Sequence, residues 1–544
     1  MANIKIPRKE FEKDIGKLTK EMQMKIALFG TTLESFDDNE IELEIFPNRP
    51  DLLSYQGFKR SFLAFLGKNT GLKKYKVFPK EKNYKIKVDS NLKNIRPHTA
   101  CAIIKNLKLN DEKIKEIIEI QEKLHTTIGR RRKKIAIGIY PLEKIKLPIT
   151  FKALEPDQIR FQPLESKKEM TGLEILQRHP TGRDYAHLLA GKIKFPIFID
   201  SNKEILSMPP IINSEKVGRV TKKTKEVFIE CSGFDQETLE KCLNILVTTF
   251  ADMGGKIYQM EINSNLTTPN LEPEKTKISI KNVNKLLGLD LEEKTIKQLL
   301  GKMGHEYNNG IVKSPSYRTD LLHEVDLIED IAIAYGYENF EPIIPKISTI
   351  GKENFQETIK RKISSILTNI EFLEISNYHL TAKKDQFTKM GIPEKQEKGA
   401  IEIAESKTEY NLLRKDLTHY LLKILSENID SEYPQKIFEI GKTFSEDLKE
   451  TEHLSCAITP GNFTDIKQSL EYLNKMTGLN LILKEPTKIP DHFIDGRVAK
   501  IILDEKIIGY LGEIHPKILK NWKIKMPVAL FEISLKEIFE KLKE

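Results

Sequence analysis

The chain has 544 residues, 39% of them hydrophobic and 31% charged, and its 88 Lys and Arg residues outnumber its 79 Asp and Glu residues to give a formal net charge of +9. This composition is that of globular domains and excludes collagen-like, low-complexity and disordered chains. No apolar run approaches the roughly 20 residues that cross a bilayer, and the first residues lack the apolar core of a signal peptide. We therefore expect a cytoplasmic protein with no membrane contact, whose mild basic excess suits a partner that carries phosphates.

Polar or proline-bearing stretches at 79–85, 263–277 and 342–353 lack sustained periodicity, as linkers do. They divide the chain into several domains, as its length also indicates. We predict an α+β multidomain protein with four segments, at 1–83, 84–265, 270–346 and 350–544.

In the first segment, the turn Phe46-Pro-Asn-Arg-Pro-Asp51 precedes a predicted helix. Proline fixes its own backbone dihedral and restricts the residue before it, so this turn is rigid. Asp51 or Ser54 can accept hydrogen bonds from the free amides at the start of the helix. These features favour a structural role for the turn.

The strongest run of basic residues lies in the second segment, just after a predicted helix and at the start of a strand predicted at 133–139. One interpretation is a solvated turn, and the other is a contact with phosphates of a nucleic acid. The residues of this run are Arg130, Arg131, Arg132, Lys133 and Lys134.

Two irregular loops of the same segment, at 205–214 and 228–233, are rich in small polar residues. Hydroxyl groups and a carboxylate that converge there would bind a ligand, whereas the alternative is turn-forming serines and an exposed glutamate. A helix follows the second loop, because Asp235 can cap it and Gly254-Gly255 can end it. The candidate ligand-binding residues are Ser207, Ser214, Glu230 and Ser232.

The third segment has the pattern of a small winged-helix module. Asp290 followed by Glu293 predicts a capping box, and residues 296, 299, 300 and 303 form an apolar helical stripe. A β-ribbon is predicted near 307–313, and a final helix over 322–335.

Carboxylates cluster at the start of that final helix. Three of them are spaced i, i+3 and i+4, so a helix places them on one face, with a fourth in the preceding turn. Oxygen ligands of this kind suit Mg²⁺, and the alternative is an acidic face that pairs with Arg318 or with cations of a partner. The four residues are Asp320, Asp326, Glu329 and Asp330.

The last segment alternates amphipathic helices, predicted at 357–368 and 412–426, with short strands. The strands are predicted at 436–440, 498–503 and 529–533. This alternation favours an antiparallel sheet flanked by helices.

Signals for several other chemistries fail on inspection. Gly441-Lys442-Thr443 ends like a Walker A loop, but Lys436 stands where that motif needs a glycine. His323-Glu324 lacks the second histidine of a zincin, because position 327 is a leucine. The cysteines, at 101, 231, 242 and 456, form no CxxC pair, which argues against a disulfide framework and a structural zinc site.

Taken in order, several stretches of the chain resemble the phenylalanyl-tRNA synthetase beta-subunit family in its shorter, archaeal and eukaryotic-like type. The resemblance covers nearly all of the chain. It rests on the stretches 46–54, 96–104, 124–134, 179–187, 206–214, 315–337 and 437–441.

The resemblance implies one subunit of an (αβ)₂ heterotetramer whose α subunit uses ATP to attach phenylalanine to tRNA(Phe). This chain would carry a B3/B4-type editing domain that hydrolyses mischarged Tyr-tRNA(Phe), and a winged-helix-like B5 domain. Its class II synthetase-like domain would lack catalytic motifs, since Val528 to Lys536 offers neither a glycine-rich turn nor an arginine. The resemblance also assigns the four carboxylates to Mg²⁺ binding shared with the α subunit, and it makes the basic run a candidate tRNA contact.

Three positions depart from the family pattern. Glu230 and Ser232 stand where relatives commonly carry aspartate and threonine, and Tyr140 replaces an expected histidine. Two other functions remain open alongside the subunit role, namely a free-standing aminoacyl-tRNA editing hydrolase and a non-enzymatic tRNA-binding scaffold.

Overall fold

The computed structural model describes residues 2–393 and 399–543. The chain forms two compact units, residues 1–344 and residues 345–544, each of which combines helices with sheets. The border between them lies at 344/345, inside the third predicted segment (270–346), and the four predicted segments stay predictions. Among the described residues, no helix is long and apolar enough to cross a membrane.

The first unit begins with a three-stranded antiparallel sheet beside three helices. Ser54 caps the third helix by accepting a hydrogen bond from the Gly57 amide at 3.0 Å, as predicted. Asp51 instead accepts two hydrogen bonds from Arg49, both at 2.9 Å. The elements are β1 (Ala2–Pro7), α1 (Arg8–Asp14), α2 (Lys20–Leu28), β2 (Thr32–Phe36), β3 (Glu40–Ile45) and α3 (Tyr55–Phe65).

A large mixed sheet follows, with helices around it. The elements are β4 (Val77–Phe78), β5 (Lys85–Val88), β6 (His98–Lys105), α4 (Asp111–Thr126), β7 (Ile135–Pro141), β8 (Ile149–Leu154), β9 (Arg160–Phe161), β10 (Met170–Thr171), α5 (Gly172–Arg178), α6 (Pro180–Tyr185), β11 (Phe195–Ile199), β12 (Ile205–Met208), β13 (Ile212–Asn213), α7 (Glu215–Gly218), β14 (Val227–Gly233), α8 (Gln236–Asp252), β15 (Lys256–Ile262) and β16 (Leu266–Thr268).

Strand β14 lies between β6 and β7, antiparallel to both, and every residue of β7 and β14 is buried. Helix α8 packs on these strands through a nearly continuous apolar face. Asp235 caps it by accepting a hydrogen bond from the Thr238 amide at 2.8 Å, which confirms the predicted helix start.

The rest of the first unit pairs a small antiparallel sheet with three helices. The predicted capping box at Asp290 and Glu293 is wrong, because α10 begins after Glu292, two residues beyond Asp290, and Glu292 makes no side-chain cap. The predicted ribbon and final helix are present. The elements are β17 (Glu274–Lys277), α9 (Ile280–Leu287), α10 (Glu293–Lys302), β18 (Glu306–Asn308), β19 (Ile311–Ser314) and α11 (Glu324–Tyr335).

The second unit is built on an antiparallel sheet in the order β20-β23-β24-β28-β27-β26-β25, with β20 as a parallel edge strand. The elements are α12 (Phe355–Thr368), β20 (Leu373–Glu374), β21 (Leu380–Ala382), β22 (Tyr410–Leu413), α13 (Thr418–Glu427), β23 (Gln435–Phe444), β24 (Glu450–Thr459), α14 (Phe463–Thr477), β25 (Ile482–Lys484), β26 (Phe493–Leu503), β27 (Lys506–Ile514), α15 (Pro516–Trp522), β28 (Ala529–Ser534) and α16 (Lys536–Lys543).

The helix predicted over 412–426 is wrong at its start. Residues 410–413 form β22, which pairs with β21, and the helix begins only at Thr418. Arg414 separates the two elements, and its buried guanidinium donates a hydrogen bond to Glu439 at 2.6 Å. Because this ion pair holds residue 414 inside the unit, the chain cannot continue as one exposed amphipathic helix.

Candidate functional site

A cavity of about 350 Å³ opens in the first unit, lined by strands from the two ends of the large sheet. Its walls come from helix α4, strands β7 and β14, and the loop that joins β12 to β13. The lining includes two of the predicted residues, Ser207 and Glu230, and brings Asn213, His125 and Arg132 to the same place. The other two predicted residues, Ser214 and Ser232, are buried but do not line this cavity.

Glu230 is the buried carboxyl group in the lining of this cavity. It lies on β14 opposite Gly138 of β7 and is only 1% exposed, so the alternative of a solvent-exposed glutamate is wrong. The hydroxyl of Tyr140 lies 3.2 Å from its Oε1 atom, whereas its Oε2 atom has no hydrogen-bond partner within the chain. Burial raises the pKa of Glu230 to about 8, against the opposing effects of Arg96, Tyr140 and Ser232.

The contact between Tyr140 and Glu230 depends on glycine at position 138. A Cβ atom added to Gly138 would lie 2.1 Å from the Tyr140 hydroxyl and 2.5 Å from Glu230 Oε1. Directly opposed residues of neighbouring strands share a face of the sheet, so the missing side chain leaves the space in which the phenol reaches the carboxyl.

The three predicted serines have different surroundings. The hydroxyl of Ser207 is buried without a partner and lines the cavity, while that of Ser214 is equally unpartnered but lies outside the lining. Ser232 binds Arg96, which donates from Nε to its hydroxyl at 3.1 Å and from Nη2 to its carbonyl at 2.5 Å. Ser232 thus holds the guanidinium that faces Glu230.

His125 is the histidine in the lining, and both of its ring nitrogens are engaged. Its Nε2 accepts the Ile137 amide hydrogen at 2.8 Å, so Nδ1 carries the proton toward Glu122, 3.2 Å away. Burial lowers the pKa of His125. The ring is therefore a neutral structural group and not a free general base.

The basic run forms a tight turn in which Arg130, Arg131 and Arg132 have positive φ angles of 47°, 52° and 64°. Arg132 lines the cavity, where it donates to the Ile211 carbonyl at 2.8 Å and to Glu122 at 2.8 Å. The other four basic side chains are exposed to solvent beside this anchor. Arg132 thus differs from the rest of the run, because it secures the cavity wall.

Two of the four acidic residues share one arginine. Asp330 is buried and accepts hydrogen bonds from Arg318 at 2.9 Å and from His305 at 2.7 Å. Asp320 accepts two hydrogen bonds from the same guanidinium, at 2.9 and 2.8 Å. Although burial raises it, Arg318 and His305 hold the pKa of Asp330 well below its usual range.

The remaining two carboxylates lie nearer the surface. Asp326 caps α11 by accepting hydrogen bonds from the amides of Leu322 and His323, both at 2.7 Å, and Glu329 is exposed. Within the described part of the chain, no three acidic, histidine or cysteine side chains are grouped so as to hold a metal ion. These residues alone do not fit Mg²⁺, so the shared site stays a prediction about a complex with a second chain.

The comparisons with known proteins agree across the whole chain. Residues 341–535 match the family model "Phenylalanyl tRNA synthetase beta chain CLM domain", and residues 276–337 match "tRNA synthetase B5 domain". The phenylalanine–tRNA ligase beta subunit of Pyrococcus furiosus is 40% identical over 90% of both chains. That of Archaeoglobus fulgidus is 37% identical over 98% of this chain and 97% of its own.

A solved structure matches the first unit. It is an N-terminal fragment of the phenylalanyl-tRNA synthetase beta subunit from Pyrococcus horikoshii, with 38% identity and a TM-score of 0.59. The match covers 61% of this chain and 99% of the fragment. This fragment supports the multidomain α+β fold.

Replacement of Glu230 by glutamine should change how stability depends on pH. The folded chain keeps the Glu230 proton up to a pKa of about 8, while the unfolded chain releases it near 4.5. Between these values the wild type should lose up to about 1.4 kcal/mol of unfolding free energy per pH unit relative to Glu230→Gln. Amide hydrogen exchange of residues 227–233 at pH 5 and pH 8 measures this difference, and parallel pH dependence in the two proteins would contradict it.

Neighbouring carboxylates of α11 should differ sharply in their effect on stability. Asp330→Ala leaves the buried guanidinium of Arg318 and the His305 ring without their common partner, at a cost of about 3 to 5 kcal/mol. Glu329→Ala should change the unfolding free energy by less than about 0.5 kcal/mol, because the side chain is exposed. Urea unfolding, with hydrogen exchange of 303–335 to locate the loss, measures both, and equal effects would argue against the counter-ion role.

Proposed function

The chain belongs to the phenylalanine–tRNA ligase beta-subunit family, and we propose that it acts with an α subunit in an (αβ)₂ complex that attaches phenylalanine to tRNA(Phe) at the expense of ATP. The coverage of relatives that bear this name, at 90% or more of both chains, favours this role over a free-standing hydrolase or a scaffold. We place the aminoacylation site on the α subunit.

Contacts in the second unit support the placement of aminoacylation on the α subunit. Its strand β28 presents Ala529, Leu530, Phe531 and Ile533, all fully buried. The one carboxylate among them, Glu532, accepts hydrogen bonds from the Thr418 amide at 2.8 Å and from His453 at 2.8 Å. The apolar side chains of β28 are packed in the core, and its carboxylate is already hydrogen-bonded, so these side chains are not available to bind ATP. We propose that this unit is non-catalytic.

We further propose that the cavity in the first unit removes tyrosine from mischarged Tyr-tRNA(Phe). The observation that carries this proposal is the unpartnered Oε2 atom of the buried Glu230 carboxyl. Tyrosine differs from phenylalanine by one hydroxyl group, which can donate a hydrogen bond to this atom. Phenylalanine would leave Oε2 without a partner, at a cost of about 1 to 3 kcal/mol, so the cavity binds the tyrosyl ester in preference to the phenylalanyl ester.

The hydrolysis proceeds by attack of a water molecule on the ester carbonyl carbon. The water oxygen forms a bond to that carbon, and the bond from the carbon to the ribose oxygen breaks. The departing ribose oxygen takes a proton lost by the water and becomes a hydroxyl, so that tyrosine with a free carboxyl group and uncharged tRNA result. Both ring nitrogens of His125 already have partners, so this histidine does not act as the base. The unpartnered Ser207 hydroxyl and backbone groups of the 209–213 loop position the water. The neighbouring ribose hydroxyl of the tRNA assists.

The exposed residues of the basic turn lie next to this cavity, and we propose that they contact the acceptor end of the tRNA. Arg132, which lines the cavity, ties the turn to the wall. Arg130, Arg131, Lys133 and Lys134 are exposed and available to phosphates.

Deacylation of preformed Tyr-tRNA(Phe) and Phe-tRNA(Phe) by the αβ complex tests the editing role. The wild type should hydrolyse the tyrosyl ester selectively, and Glu230→Ala should lower that rate by about 10- to 100-fold, which corresponds to the loss of one such interaction. Glu237→Ala, which removes an exposed carboxylate of α8, is the matched control. Equal rates for Glu230→Ala and Glu237→Ala would place the editing pocket elsewhere.

Removal of the turn's charges tests the tRNA contact. The double variant Arg130→Gln/Arg131→Gln should weaken tRNA binding and reduce the slope of log K against log salt concentration by roughly 1 for each phosphate that the arginines neutralise. Lys222→Gln/Lys223→Gln, which changes two exposed lysines of the same unit, provides the control. An unchanged salt slope in the arginine variant would mean that the turn is merely solvated.

A further inference from the structure

Tyr140 lies behind the candidate editing cavity and not in its lining. Its side chain is fully buried in a separate cluster of the core, where its ring stacks on Phe228 with 5.8 Å between ring centroids. From this side its hydroxyl reaches Glu230 Oε1 at 3.2 Å and the Asn213 side-chain oxygen at 3.3 Å. The phenol therefore contacts two lining residues without occupying the space that they enclose.

We propose that Tyr140 is a positioning residue for tyrosine selection: it holds Glu230 by Oε1 from the core side, which leaves Oε2 as the acceptor for the phenol of the bound substrate. This inference rests on the proposed editing function and names a residue that sets its specificity. The space for the contact exists only because position 138 is a glycine.

A buried tyrosine hydroxyl needs a partner, and Glu230 and Asn213 are the two acceptors that the structure places within reach. The hydroxyl has one proton, so it can donate to only one of them at a time. When Glu230 is ionised, the carboxylate is the stronger acceptor and receives the proton. When Glu230 is protonated, it can donate to the phenol oxygen, and the phenol then donates to Asn213.

The position of the phenol proton thus follows the charge on Glu230. Other titratable groups that face this carboxyl are Arg96, which favours the ionised form, and Cys101 of β6, a buried thiol whose pKa is raised by burial. Loss of the Tyr140 hydroxyl and loss of the Asn213 side chain should therefore change the pKa of Glu230 in opposite directions.

Tyr140→Phe removes the donor and keeps the ring. Without it, the ionised carboxylate loses a hydrogen bond, so the pKa of Glu230 should rise, and the carboxyl should lose its fixed orientation. Asn213→Ala removes the competing acceptor, so the phenol donates to Glu230 alone and the pKa should fall. Tyr258→Phe, which removes a half-buried hydroxyl of the same sheet outside the cavity, is the matched control.

The experiment uses the αβ complex and two readouts. Infrared difference spectra across pH follow the carbonyl band of protonated Glu230, which is identified by its absence in Glu230→Gln. Deacylation of Tyr-tRNA(Phe) and Phe-tRNA(Phe) across pH gives the selectivity. In Tyr140→Phe we expect the band midpoint and the rising limb of the tyrosyl rate to move to higher pH, and the tyrosyl-over-phenylalanyl ratio to fall about tenfold. In Asn213→Ala we expect the midpoint to move to lower pH.

A midpoint that is the same in the wild type, Tyr140→Phe and Tyr258→Phe would overturn the positioning role, as would an unchanged selectivity ratio in a complex that hydrolyses the tyrosyl ester. If the wild-type complex hydrolyses no tyrosyl ester, the proposed editing function fails, and the infrared midpoints alone decide whether Tyr140 controls Glu230. Aminoacylation by the same preparations shows that each variant complex is intact.

Discussion

A carboxyl group inside a protein must be neutral, paired with a cation or left as a site for a ligand, because its desolvation is otherwise uncompensated. The candidate site depends on this constraint. Glu230 lies at the centre of a fully buried strand, one of its oxygens contacts a tyrosine, and the other has no partner. In the proposed editing function, a hydrogen-bond donor on the ligand would pair with this free oxygen, and the free energy lost by burying it unpaired would favour a ligand that carries the hydroxyl group.

The same constraint has the opposite outcome elsewhere in the first unit. Asp330 is also buried, yet Arg318 and His305 both donate hydrogen bonds to one of its oxygens. Here the charge contributes to packing between α11 and the turn that precedes it, and it is not available to an incoming ion. Two buried carboxyl groups thus differ in their partners: Glu230 keeps one oxygen unpaired, whereas Asp330 is the counter-ion of Arg318.

In the second unit, buried polar side chains of the sheet form hydrogen bonds with other groups of the same unit. Arg414 and Glu439 form a buried pair, and Glu532 receives hydrogen bonds from the start of α13 and from His453. These contacts fix a helix and a strand against the sheet. They are consistent with a unit that supports assembly while chemistry occurs on other parts of the proposed complex.

The sequence by itself determined the elements with strong local signals, such as α8, where the cap at Asp235 and the apolar face lie within a few turns of each other. It also determined the family, because the order of many short motifs is a property of the chain. It could not distinguish Asp330 from the adjacent Glu329, since a helical pattern places both near one face and does not state which one meets a guanidinium.

Only the tertiary structure decided the site. Tyr140 and Glu230 are 90 residues apart and meet because the register of β7 and β14 places a glycine opposite the carboxyl. The start of the helix predicted over 412–426 was wrong for the same reason, because a buried ion pair to Glu439 outweighs the local periodicity around Arg414. Periodicity and caps act between near neighbours, whereas burial and partner choice depend on which distant strands come together.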